Sequence, residues 1–235
     1  MSDWKQKRFW KEATAVESGG GFTVQLDGRG VKTPAKAPLT LPSRAMAEAI
    51  AAEWDAQVEG VNPESMPFTR SANAAIDKVA NQHAEVADML ADYGDSDLLC
   101  YRADTPQELV ARQAAQWDPA LDWAEQTFGA RLEPRQGLQH RSQESAALAV
   151  LRQAVHALNN FQLAAFHDLV SMSGSLVLGF ATAQNWRTAD DIWQISRLDE
   201  TWQEEQWGVD DEAKATAELK REAFFHAKNF YDISC

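Results

Sequence analysis

A chain of 235 residues with 45% hydrophobic and 24% charged side chains is long enough to bury a core, so disorder is not its default state. It sets 22 Lys and Arg against 35 Asp and Glu, a formal net charge of −13 that repels phosphate backbones and anionic lipid surfaces. Nucleic acid and membrane insertion are therefore not expected of it.

The first forty residues read as β-structure. Phe9 to Val16 and Phe22 to Leu26 are rich in aromatic and β-branched side chains and flank Ser18-Gly19-Gly20-Gly21. A second turn is expected at Asp27 to Gly30, with a short third strand at Val31-Lys32-Thr33. From Pro42 onward the pattern turns helical. Ser43 is placed as the N-cap of a helix to Gln57. A long helix is expected from Arg70 to Tyr93 with Gly94 as its stop. Thr105-Pro106-Gln107-Glu108 has the form of a capping box, and Asp118-Pro119 that of a fresh helix start ending near Gly129. An extended piece follows at Arg131 to Arg135, then a helix from Ser142 to about Leu158. The most apolar stretch, Leu163 to Ala183, contains His167, Asp168 and several Ser and Gly, so a buried helix or helix pair fits it and a membrane span does not. Thr188 opens a helix to Trp207, closed by Gly208, and the last helix runs from Asp210 to about Tyr231. The fold class is α+β: a small β-rich N-terminal domain with a packed helix over residues 1–77, then a mostly α-helical C-terminal domain over 78–235.

Charge is unevenly placed. Residues 1–36 carry seven basic and four acidic side chains, whereas 190–212 hold nine carboxylates against a single Arg197. Trp186, Trp193, Trp202 and Trp207 alternate with those carboxylates. A core-facing aromatic stripe with a solvated acidic face accounts for the pattern. So does a protein-binding face, in which Trp supplies apolar anchors and carboxylates steer a basic partner.

Catalytic signatures are few. Gly19-Gly20-Gly21 lacks the lysine of a phosphate loop, and Gly174 to Gly179 lacks the spacing of a nucleophile elbow, so its glycines are expected to permit close helix packing. None of the five histidines lies in HExxH, and Cys100 and Cys235 lie in no zinc spacing, so neither metal nor cofactor is called for. His167-Asp168 is expected to be a hydrogen-bonded pair in the core. Cys100 is expected to be a buried, inert, reduced thiol.

Several segments, taken in order, carry a resemblance: Arg8-Phe9-Trp10-Lys11, Leu26 to Pro34, Leu41 to Ala45 on to Glu53-Trp54-Asp55, Met66 to Arg70, Asp97 to Arg102, Gln116 to Pro119, Arg197 to Gln203 and Trp207-Gly208. Together they resemble the chaperone family that assembles the soluble catalytic head of F-type ATP synthase. That resemblance implies a non-enzymatic assembly factor. Such a factor binds the newly made alpha subunit, covers a surface that would otherwise aggregate, and yields to beta without consuming ATP. It also implies a role for the acidic C-terminal helices, here at Asp199 and Glu200; the family tends to Glu at the first position, and Asp keeps the charge on a shorter side chain. The expected partner-binding group is Asp199, Glu200, Trp202, Trp193, Trp207 and Glu204, on a monomer. Because no presequence precedes the first strand, a bacterial cytoplasmic protein is expected, or a matrix protein if this is a eukaryotic mature form. The alternatives are a soluble enzyme using His167 with Asp168, or Cys100, and a general holdase.

Overall fold

The computed structural model describes residues 7–137 and 139–235; the targeting assignment made on residues 1–6 lies outside them. The chain is α+β as expected, a small N-terminal β region followed by a mostly helical remainder. It divides into two compact units: Met1–His83 with Asn159–Ala165 and Asn229–Cys235, and Ala84–Leu158 with Phe166–Lys228.

In the first unit, β1 (Ala13–Ser18), β2 (Gly21–Leu26) and β3 (Arg29–Gly30) form an antiparallel meander. Both loops have two residues, Gly19-Gly20 and Asp27-Gly28, and all four have positive φ, as right-twisted strands joined by type I′ turns require. The third strand pairs earlier than expected, at Arg29–Gly30, although the Val31 amide still donates to the Val24 carbonyl at 2.9 Å. The sheet packs on α1 (Arg44–Asp55). Ser43 is its N-cap, accepting from the Met46 amide at 3.1 Å while its hydroxyl donates to the Ile233 carbonyl. Val24, Leu41, Met46, Ile50 and Phe230 close this core. Phe230 comes from the far end of the chain.

The long helix expected over 70–93 is broken. α2 (Pro67–Asp77) and α3 (His83–Ala91) are separated by a 3-10 turn at Val79–Asn81. Asp77 is held by the Thr33 hydroxyl (2.6 Å) and the Ala35 amide (3.0 Å), and the Asn81 side chain takes its carbonyl. Gly94 stops no helix; it lies in a second 3-10 turn, where an added Cβ would meet Leu148 and Leu176 at 3.2 Å.

In the second unit, β4 (Tyr101–Arg102) pairs in parallel with β5 (Arg135–Gln136). Helix α4 (Gln107–Phe128) runs unbroken through Pro119, because Trp117, Ala120, Leu121 and Ala124 are all buried and hold the chain on both sides of the lost hydrogen bond. The Thr105 capping box does not form. Pro106 takes the cap position in an extended conformation, which leaves Thr105 one residue too early. Helices α5 (Ser145–His156), α6 (Asn160–Ser173), whose residues up to Ala165 belong to the first unit, and α7 (Leu176–Ala183) follow. The apolar stretch is thus a helix pair. Gly179 makes its close approach possible: a Cβ there would stand 2.6 Å from the Val170 side chain. The chain ends in α8 (Ala189–Ser196), α9 (Leu198–Trp207) and α10 (Asp211–Asp232).

Asp97 is fully buried at the start of α7. Its carboxylate accepts from the Leu99 and Val177 amides at 3.0 and 3.1 Å. Those donors favour the charged form, but loss of solvent outweighs them and pushes the carboxyl up to about 6. A carboxyl raised on folding binds its proton more tightly in the native state. Its contribution is therefore complete below the unfolded value and is lost as pH rises through about 6. The whole term is about 3 kcal/mol. Urea titrations at pH 7 and pH 5 should therefore show wild type gaining stability relative to Asp97→Asn as pH falls. A pH-independent difference would contradict this.

Candidate functional site

Thr188 starts α8 by accepting from the Asp191 amide at 3.1 Å. Ile192, Trp193 and Ile195 then face inward, and Trp193, 4% exposed, lies against Phe224 with ring centroids 5.5 Å apart. The single helix expected over 188–207 breaks at Arg197. Three of the carbonyls freed by the break have donors. Ser196 Oγ and the Arg197 amide take Trp193, the Arg197 amide also takes Gln194, and the indole of buried Trp117 takes Ile195 at 3.0 Å. Beyond the break α9 buries only Leu198, so the expected aromatic stripe is split between two helices, with Trp193 on α8 and Trp202 on α9.

One face of α4 fixes α9. Gln113, 2% exposed, donates to Asp199 at 2.8 Å and accepts from the Ala103 amide at 2.8 Å, so one amide joins α9 to the segment after β4. Arg112 grips both oxygens of Glu205 at 2.6 and 2.9 Å and stands 5.9 Å from the Trp202 ring centroid. That fork holds the Glu205 carboxyl below its ordinary value and raises the guanidinium. Arg102 stacks over Trp117 at 5.3 Å and bonds Asp118 at 2.8 Å.

Between α9 and residues 101–106 runs a groove of about 550 Å³ lined by Tyr101, Asp104, Pro106, Asp199, Trp202 and Trp207. Trp207 is 79% exposed. Three of the six expected residues thus meet in one place. Glu200 and Glu204 lie on the same helix but reach Arg197, at 3.3 and 3.6 Å. Trp193 is in the core. Arg112, Gln113 and segment 101–106 carry no local signal, since their partners lie some ninety positions along the chain.

The enzyme candidates fare differently. His167 is exposed and not in the core; its Nδ1 lies 2.9 Å from Asp168, which raises its pKa. Cys100 is buried, and desolvation pushes its thiol up. The cavity of about 10 Å³ beside Cys100 is lined by neither His167 nor Asp168. Among the described residues no cluster of three or more His, Cys, Asp or Glu is arranged to hold a metal ion, and no helix is long and apolar enough to cross a membrane.

A family model described as the ATP12 chaperone protein matches residues 7–125. The chain belongs to the ATP12 chaperone family. Among solved structures it is similar to Atp12 from Paracoccus denitrificans, with 45% identity and a TM-score of 0.96 over 99% of this chain and 100% of that one. An aspartate-to-lysine mutant of the same relative matches at 44% identity and a TM-score of 0.97 over the whole of both chains. The mitochondrial protein atp12 of Schizosaccharomyces pombe is 27% identical over 214 residues, 86% of this chain and 74% of that protein. The family found and the family resembled are the same, chaperones of ATP synthase assembly.

Gln113→Leu would leave the half-buried Ala103 amide and Asp199 without their shared partner. It should cost about 1–3 kcal/mol in urea unfolding. Unchanged stability would show that the Gln113 bridge does not hold the groove.

Proposed function

We propose that this chain binds the unassembled alpha subunit of the F-type catalytic head and holds it until beta replaces it. The client surface is the groove between α9 and residues 101–106, with Asp199, Trp202 and Trp207 inside it and Glu200 and Glu204 beside it. Trp193 supports α8 from within. Trp207 carries the proposal. A tryptophan held four-fifths in solvent, next to a second one in an open groove, is a cost that a folded chain keeps where a partner covers it. A subunit waiting for its oligomer exposes the complementary apolar surface. The carboxylates add orientation. The ion pairs of Glu200 and Glu204 with Arg197, like that of neighbouring Glu205 with Arg112, are partly solvated, hold little energy, and can be exchanged for a client's cations.

The chain acts as a monomer and without catalysis. A buried thiol above its ordinary pKa and a solvated His–Asp pair support that second point. Its compartment is the bacterial cytoplasm, or the matrix for a mitochondrial form.

Trp207→Ala should weaken capture of co-expressed, unassembled alpha subunit by about tenfold or more, with an unchanged thermal midpoint. Asp199→Lys with Glu200→Lys should weaken it further at the same circular dichroism. Undiminished capture by both would remove this surface. Equal protection of an unrelated aggregating protein would make the chain a general holdase instead.

A further inference from the structure

A second groove, of about 510 Å³, lies wholly within the first unit. Its apolar lining includes Trp54, Val61 and Met66. Four cations border it: Lys32 and Lys36 from the segment after β3, and Arg70 and Lys78 from α2 and its C-cap. Arg70, Asn73, Ala74, Asp77 and Lys78 recur at helical spacing, so they share one face.

None of those four cations has an ion-pair partner among the described residues. For Arg70 this is a contrast, since eight arginines elsewhere are paired: Arg8, Arg44, Arg102, Arg112, Arg131, Arg152, Arg197 and Arg221. With 35 acidic side chains against 22 basic ones, carboxylates are not scarce. The one acid in the groove lining, Asp77, spends both oxygens on Thr33 and Ala35, tying the 33–35 loop to α2. The groove therefore sets four cations against one carboxylate around an apolar floor, a positive border on a chain whose net charge is strongly negative.

We propose that this groove binds an extended acidic peptide segment that carries one apolar side chain and belongs to another protein. The spacing of the charges selects this ligand over a single phosphate. Arg70 and Lys78 are eight residues apart on one helix, about 12 Å along its axis. An extended segment can place a separate carboxylate at each end, which one phosphate cannot. An extended chain rising about 3.3 Å per residue covers that distance in four residues and turns alternate carboxylates to the same side. An apolar side chain between them meets Trp54 and Val61. The anionic ligand is attracted over a Debye length, so binding weakens as salt rises. The site shares no residue with the α9 groove, so either can fail without the other.

The test is fluorescence polarisation of the full chain with the labelled hexapeptide Glu-Asp-Leu-Glu-Asp-Glu. The peptide should bind saturably, and its analogue with Gln and Asn for the acids should not. Arg70→Glu with Lys78→Glu should weaken binding by about tenfold, and so should Lys32→Glu, which sits on the other wall and keeps the test open if the helix variant misfolds. Inorganic phosphate should not displace the peptide at equal concentration. The proposal is overturned if the peptide fails to bind, if the neutral analogue binds as well, if the folded variants bind like the parent, or if phosphate alone competes fully.

Discussion

The candidate client surface depends on one buried hydrogen bond, from the Trp117 indole to the Ile195 carbonyl. A helix that ends abruptly leaves its last carbonyls without partners, and burying them unpaired is costly. Trp117 removes that cost at the end of α8, so the chain can break at Arg197 and restart as α9 on a different face. One turn earlier on α4, Gln113 holds Asp199 and the 101–106 segment together, and Arg112 beside it holds Glu205. One stretch of α4 thus fixes Asp199 and Glu205 on one wall of the groove and the segment after β4 on the other. The break then separates two roles: α8 contributes Trp193 to the core, while α9 presents Trp202 and Trp207 outward.

The net charge takes on a different meaning in this light. The acidic run at 190–212 is largely occupied rather than free. Asp190 meets Arg221, Glu200 and Glu204 meet Arg197, Glu205 meets Arg112, and Asp191 and Asp210 bond the first turns of α8 and α10. These pairs hold carboxylates in place at the surface, where each contributes little to stability. A surface built this way gives up its internal partners cheaply, which suits a chaperone that must let go. Asp199 is different, because its partner is the neutral, buried Gln113 amide, and among the described residues no cation pairs with it.

How far the sequence can be read follows from where each partner lies. Ser43, Thr188 and Gly208 act within three or four residues, and each works as its local signal says. The two-residue turns at Gly19-Gly20 and Asp27-Gly28 follow from the same short-range chemistry. Failures cluster where a distant residue intervenes. Thr33 and Ala35 capture Asp77 and end α2, the buried faces around Pro119 carry α4 through it, and Trp117 enables the break at Arg197. Closure of the first unit by residues 159–165 and 229–235 has no local signal at all. At the groove, Trp202 and Trp207 stand out by composition, but Gln113 does not, since a lone glutamine on a helix shows nothing of its two buried bonds.

The most direct test of the central claim is amide hydrogen exchange on the full chain, alone and mixed with unassembled alpha subunit. If α9 and the 101–106 segment form the client surface, exchange there slows on mixing, and the Trp207 end of α9, where little is buried, changes most. If a complex forms while these amides exchange at their free rates and protection arises elsewhere, the groove is not where the client binds.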